Sequence, residues 1–373
     1  MNYINSLTHI LNKEHTAKTL NPATSTVLVH SDQYANWIFD PSHPTQGRRF
    51  INARNQFSQL MADSGALFTE VAPRLATMAE LERVHTPHYI DEVLSSHLSS
   101  QWSGKRPDLA TLASTFVGGT LTALDALINK GARTAIHFPG SKHHAQYDHS
   151  SGFCIFNDFA IAADIATKDY GLRVAILDID AHHGDGVENL TADNPMVLTY
   201  SIHEKGIFPG TGNEDYPEKN FYNFPLVPKE ADLNCRGKGD SALRYGVEQF
   251  IDKLDAFKPD LIFITCGADG HKEDPLSSLE YSVQGYAAIA QLLRRHYANV
   301  PMLLGGAGGY LPDTRTPEVW AKFAFAMSVI IQSARHFRGE SNSSISFASP
   351  HCQTQGISPE VSLSEITTPD RLG

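Results

Sequence analysis

Val174–Gly186, VAILDIDAHHGDG, gathers Asp178, Asp180, His182, His183 and Asp185 within eight residues. They follow a short apolar run, Val174–Leu177, of the kind that forms a strand covered on both faces. Ionisable groups at the end of such a strand are costly to bury unless they bind something. Asp180 and His182 are two apart, and in extended chain residues i and i+2 point to one side. A carboxylate oxygen and an imidazole nitrogen converging there suit zinc, with cobalt, iron or manganese as substitutes. Asp178 falls on the same side one step deeper, placed to brace a neighbour rather than to ligate. The plain alternative is a salt-linked polar turn, and the density of Asp and His argues against it.

Three other apolar runs end in chemistry-bearing loops. Ala135–Phe138 leads into Pro139-Gly140-Ser141-Lys142-His143-His144, and adjacent histidines suit proton transfer because imidazole titrates near neutrality. Leu261–Thr265 ends in Cys266-Gly267-Ala268-Asp269-Gly270, where Asp269 can supply a third protein ligand. Met302–Leu304 runs into Gly305-Gly306-Ala307-Gly308-Gly309-Tyr310, whose glycines permit a tight turn close to a ligand. Taken singly, paired histidines are common on surfaces, glycine-rich loops are frequent and a lone tyrosine usually packs. Their joint appearance after four strands is the signal.

On PGSKHHAQYDHSSGFC, LDIDAHHGDG, YSIHEKGIFPGTG, CGADGHKEDPL and GGAGGY, the chain resembles the histone deacetylase family over roughly residues 25–335. That family includes bacterial acetylpolyamine and acetoin-utilisation relatives. The resemblance implies a single three-layer α/β/α domain with a mainly parallel sheet, a fold shared with arginases. It makes Asp180, His182 and Asp269 the ligands of one Zn2+. His143 and His144 become the proton-transfer pair, with Asp178 and Asp185 behind them and Tyr310 as oxyanion donor. Gly152, Phe153, Phe208 and Leu276 would line an acyl-lysine tunnel. Polyamine-preferring relatives can carry a glutamate where Leu276 stands, so the leucine favours acyl-lysine or a singly charged amine. Asp108 is the acidic residue available for the tunnel rim, although its distance to the following helix looks short. A potassium ion is implied at Asp178, Asp180, His182, Ser201 and Ile202. Arg48 or Arg49 would line the region beneath the site, with a surface role as the alternative for each. His85 and His88 read as structural.

Strands must position these groups. Expected strands are Val27–His30, Thr134–Phe138, Arg173–Ile179, Val197–Ile202, Asp260–Thr265 and Pro301–Leu304. Expected helices are Arg54–Ser64, Ile90–Leu98, Ala110–Asn129, Ile155–Lys168, Ser241–Ala256, Ser282–Tyr297 and Pro317–Ala334. Strands alternating with helices argue for a parallel sheet. Gly118-Gly119 fits close helix packing better than phosphate binding. Residues 1–24 form a leader of weak pattern. Residues 336–373, rich in Ser, Thr, Gln and Pro, read as disordered or as an arm packing on a second subunit to make a homo-oligomer.

The 373 residues carry 30 basic and 41 acidic side chains, a net charge of −11. Binding nucleic acid by bulk charge is therefore disfavoured, and cationic partners such as lysine-rich tails or polyamines are favoured. Four cysteines without a C-x-x-C pair do not make a disulfide framework. The first residues do not read as a secretory signal, and Phe323–Ile331 is too short to span a bilayer, so the expectation is a cytoplasmic protein without a membrane anchor. The leading expectation is a zinc-dependent hydrolase that removes an acyl group, most simply acetyl, from N-epsilon-acyl-lysine in proteins or peptides. A deacetylase of acetylpolyamines or another small acetylated metabolite is the alternative. An arginase-like ureohydrolase and an inactive acyl-lysine binder rank lower, since the first needs a second metal and the second would not need every reactive group retained.

Overall fold

The computed structural model describes residues 26–228 and 236–329. Eight strands form its centre: β1 Thr26–Val29, β2 Thr69–Val71, β3 Thr134–His137, β4 Val174–Asp178, β5 Val197–Glu204, β6 Phe221–Leu226, β7 Leu261–Thr265 and β8 Met302–Gly305. They make one sheet in the order β2-β1-β3-β8-β7-β4-β5-β6, and every neighbouring pair is parallel. β3, β4, β7 and β8 are buried at every position, which is why they read as continuous apolar runs. The two strands that sequence pattern did not disclose, β2 and β6, are the edges. β2 has three residues, none buried, and β6 contains Pro225, which an edge strand tolerates because the missing N–H faces no partner.

The helices are α1 Arg48–Ser64, α2 Met78–Leu81, α3 Pro87–Leu94, α4 Pro107–Ile128, α5 Asp158–Tyr170, α6 Asp185–Thr191, α7 Gly239–Phe257, α8 Val283–His296 and α9 Arg315–Ser328. α7, α8, α9 and α1 pack side by side in one row, and α3, α4, α5 and α6 in another, which gives the three-layer α/β/α arrangement. α1 starts six residues before the expected Arg54, so Arg48 and Arg49 are helical. α6 escaped the pattern because it is short and opens on Asp185 between Gly184 and Gly186. α4 is long and apolar enough to cross a bilayer by length and composition, yet 72% of its apolar window is buried inside the protein. Its glycines serve packing: a Cβ at Gly118 would lie 2.0 Å from Arg74 O, and one at Gly119 2.4 Å from His137 Nε2.

β3, β8, β7 and β4 are consecutive in the sheet, so the loops at their carboxyl ends share one crevice, where parallel sheets bind ligands. The indole of Trp320 braces that crevice from α9. It stacks on Phe138 and Phe50 at 6.1 and 5.9 Å between ring centres, and its Nε1 donates to Cys266 O at 2.8 Å. Tyr286 of α8 donates its hydroxyl to Gly267 O at 2.7 Å. The loop after β7 is thereby held by two other elements. The leader 1–24 and the tail 336–373 lie outside the described residues, as do Cys235 and Cys352.

Candidate active site

The loops after β4 and β7 bring Asp180, His182 and Asp269 together, all buried, with one potential ligand atom from each lying within 4.8 Å of the others. His182 Nδ1 lies 3.2 Å from Asp180 Oδ1 and 2.9 Å from Asp269 Oδ2. Main-chain donors orient the carboxylates. Gly308 N donates to Asp180 Oδ2 at 2.7 Å, His182 N to Asp180 Oδ1 at 2.9 Å, and Ala181 N to Asp269 Oδ1 at 2.9 Å. Glycines make this approach feasible: a Cβ at Gly267 would lie 2.2 Å from Asp180 Oδ2, and one at Gly308 2.3 Å from Asp269 Oδ2. Two buried carboxylates with one imidazole form a hole that demands positive charge. Burial works against a charged imidazole at His182, but the hydrogen bonds to Asp180 and Asp269 outweigh it and raise the group to about 11. Burial, then Asp180, raises Asp269 to about 7 despite His182. In the protein alone a proton supplies the missing charge, and a divalent cation would displace it. Oxygen and imidazole donors fit zinc or a neighbouring transition metal.

The loop after β3 sets two imidazoles beside this group. The rings of His143 and His144 are 4.0 Å apart between centres, and both residues are buried. His143 Nδ1 donates to Asp178 Oδ2 and His144 Nδ1 to Asp185 Oδ1, each at 2.7 Å. Asp178 is fixed in turn by Asp180 N, 2.9 Å from its Oδ1, and Asp185 by Gln146 Nε2, 2.8 Å from its Oδ2. The two histidines diverge electrostatically. Burial opposes charge on His143, but Asp178 and Asp180 overcome it and lift the group to about 9. Burial, then the neighbouring His143, lowers His144 to about 4. Near pH 7 the pair holds one neutral and one protonated imidazole.

Tyr310 closes the crevice from the loop after β8. Its N–H donates to Asp274 Oδ2 at 2.8 Å, and Arg49 Nη1 donates to Gly309 O at 2.7 Å, so the loop is tied on two sides. Gly309 has φ +141°, a backbone that side chains rarely adopt. Burial raises the Tyr310 phenol well above its usual range, so it keeps its proton. Phe153 stands 6.2 Å from the Tyr310 ring, and Phe208 stands 5.0 Å from the His144 ring and 6.4 Å from that of His182. Phe208 and Leu276 are partly open to solvent. A Cβ at Gly152, φ +53°, would lie 2.3 Å from His144 Cδ2. Asp178 is opposite Ser201 in the β4–β5 ladder, which makes the residues named for potassium contiguous.

One expectation needs correction. Asp108 is not brought into the crevice: it sits in the first turn of α4 with both oxygens on Arg106, whose Nη1 donates to Phe39 O and whose Nη2 also donates to Ile38 O. Gln101, in the segment before α4, reaches Phe153 instead, its Oε1 accepting from Phe153 N at 2.9 Å. Of the two arginines, Arg49 is buried beneath the site, while Arg48 is exposed and paired with Asp313. His85 is structural as expected, its Nδ1 2.8 Å from Gln146 O and its Nε2 accepting from Asn157 N at 2.9 Å, and His88 is exposed. Sequence reading passed over Asp274, which also accepts Leu276 N at 3.1 Å, and Asp158, which accepts Ser141 N at 2.9 Å and Lys142 N at 2.6 Å. The only mark of Asp274 was its place in the acidic pair Glu273-Asp274 shortly after Asp269.

The histone deacetylase domain profile matches residues 41–327, which contain the Asp180–His182–Asp269 group, the histidine pair and Tyr310. The chain belongs to the histone deacetylase family. Among its relatives, the acetoin utilization protein AcuC of Bacillus subtilis strain 168 is 34% identical over 326 residues, covering 82% of each chain. AcuC of Staphylococcus aureus strain MRSA252 is 33% identical over 327 residues and 80% of each chain. The crystal structure of the HDA15 HD domain superposes with a TM-score of 0.68 at 24% identity, over 81% of this chain and 91% of that one, a likeness of fold. This membership supports a deacetylase hydrolase.

Proposed function

We propose that this deacetylase is a zinc-dependent amide hydrolase that removes an acetyl group from an amine, preferentially N-epsilon-acetyl-lysine in a protein or peptide. The observation that carries the reading is the Asp180–His182–Asp269 group, with ligand atoms within 4.8 Å, beside two imidazoles of opposite charge preference. Asp180, His182 and Asp269 would hold the zinc ion, which would supply Lewis acidity to polarise the carbonyl and to lower the pKa of water from ~15.7 to about 7. Neutral His144, with Nδ1 engaged by Asp185, uses Nε2 to accept the proton of the attacking water. Protonated His143 stabilises developing negative charge, and the imidazolium formed at His144 returns a proton to the leaving amine. The Tyr310 hydroxyl donates to the oxyanion. Phe153 and Phe208 would enclose an uncharged aliphatic stem.

Leu276 is apolar and 40% exposed, which offers nothing to a second cationic amine and supports acyl-lysine over polyamine. The net charge of −11 supports a cationic protein partner rather than nucleic acid. Buried free thiols at Cys154 and Cys266 suit a reducing cytoplasm. The ladder neighbours Asp178 and Ser201 support potassium as a structural ion. The arginase-like reading needs a second cluster of ligands, and among the described residues one group of three is formed. The deciding experiment measures hydrolysis of acetyl-lysine peptides, acetylated polyamines and small acetamides, with chelator and after zinc is restored. Chelator-sensitive hydrolysis led by peptides is expected. Turnover indifferent to chelator would remove the metal role, and preference for a polyamine would reassign the substrate.

A further inference from the structure

One buried carboxylate beside the site has no part in the chemistry described so far. Asp274 lies in the loop after β7 and is 6% exposed. Its Oδ2 accepts from Tyr310 N at 2.8 Å and its Oδ1 from Leu276 N at 3.1 Å. A buried carboxylate is costly unless a cation or hydrogen-bond donors satisfy it. Among the described residues no lysine, arginine or histidine pairs with Asp274, and it is the adjacent Glu273 that takes Arg315. Asp274 is satisfied by charge-assisted bonds from two main-chain N–H groups, one in each of two loops.

The residues around Tyr310 are tied to other elements. Gly309 O accepts from Arg49 Nη1, Leu311 N donates to Thr316 Oγ1, and Pro312 O accepts from Asn52 Nδ2. None of these bonds reaches residue 310 itself, whose N–H is held by Asp274. Gly308 and Gly309 come just before it, the second at φ +141°, so the chain there has a freedom that a fixed point at 310 removes. Asp274 is seated in turn on the loop that carries Asp269. Its N donates to His271 O at 2.8 Å, and Ser277 Oγ donates to Asp269 O at 2.6 Å. The phenol and the third member of the Asp180–His182–Asp269 group are thereby referred to one segment of chain.

We propose that Asp274 is a positioning residue for Tyr310. Through the Tyr310 N–H it fixes where the phenol stands relative to the Asp180–His182–Asp269 group, and through Leu276 N it ties that placement to the tunnel wall. The kinetic consequence rests on the amide-hydrolase reading, whereas the placement can be read without turnover, so the two are tested apart.

Asp274→Asn is nearly isosteric. The amide oxygen can serve one N–H, but the amide nitrogen then faces the other, donor against donor. In the first arm, the full-length protein, stripped of divalent ions, carries 3-fluorotyrosine at position 310 and is observed by fluorine NMR. The resonance should shift or split in Asp274→Asn and stay in place in Glu273→Gln, a control on the neighbouring carboxylate. In the second arm, the zinc-loaded protein hydrolyses an acetyl-lysine peptide. Asp274→Asn should lower kcat by about 10- to 100-fold, the cost of a misplaced group, with KM and the zinc Kd within about threefold. In a Tyr310→Phe background the same substitution should cost less than about twofold, because the hydroxyl it places is gone. An unmoved resonance in a variant that remains folded by circular dichroism overturns the proposal, as do losses that multiply in the double variant or a fall in zinc affinity that accounts for the loss. A moved resonance in a protein that hydrolyses no acetylated amine upholds the placement and removes the hydrolase reading instead.

Discussion

Gly308→Ala tests whether the metal group depends on glycine in the loop after β8. The added methyl would stand 2.3 Å from Asp269 Oδ2 and 2.6 Å from Asp180 Oδ2, so it strikes two of the three ligands at once. Ordinary contact needs about 3.5 Å, an overlap of roughly 1 Å on each carboxylate. The loop cannot retreat freely, because Gly308 N is the donor that orients Asp180 Oδ2 at 2.7 Å. Giving up a hydrogen bond to a charged acceptor costs about 1.5–3 kcal/mol. At 1.4 kcal/mol per tenfold, zinc affinity should fall by about 10- to 100-fold, the range usual for losing a group that orients a metal ligand. The backbone at 308 is not left-handed, so alanine brings no conformational strain of its own. Competition against a fluorescent chelator gives the Kd, and circular dichroism checks the fold. A folded variant with Kd within threefold of the wild type would refute the steric reasoning.

Tyr310→Phe should lower kcat by ~100- to 1,000-fold, since one oxyanion donor is lost, while bound zinc measured by atomic emission stays at one per chain. Asp108→Ala should leave KM for acetyl-lysine peptides within twofold, its carboxylate being committed to Arg106, whereas Gln101→Ala should raise KM several-fold by releasing Phe153 N. His85 is held neutral by burial, its folded value lowered from 6.5 to about 4. Its contribution is therefore whole above about pH 6.5 and is lost as pH falls toward 4, because the unfolded chain binds the proton first. His85→Gln should flatten the fall in Tm across that window, and an unchanged slope would remove His85 from the acid response.

The sheet centre was legible because strands buried on both faces must be apolar throughout, as in VAILD of β4 and LIFIT of β7. Asp180, His182, Asp269, the histidine pair and Tyr310 were legible because each follows such a run. The edges were not: exposed β2 carries no apolar signature, and β6 gains its identity only by pairing with β5. Asp274 and Asp158 were invisible for another reason. Their partners are main-chain N–H groups at Tyr310, Leu276, Ser141 and Lys142, and residue letters do not record where a backbone donor points. Asp108 misled because residue type and approximate position agreed while Arg106, two places earlier, already held its oxygens.

β8 lies between β3 and β7, yet it is made of residues 302–305, the last strand among the described residues. During synthesis β3 emerges some 165 residues before its neighbour exists. Asp180 and Asp269 can be on hand much earlier, but Gly308 N, which sets Asp180, arrives only with that final insertion. A growing polypeptide thus has no finished grip on a divalent ion until the gap in its middle is filled. On the zinc-hydrolase proposal, metal capture would then be a late event that reports completion of the sheet, so a truncated product ending before residue 302 should sequester little zinc.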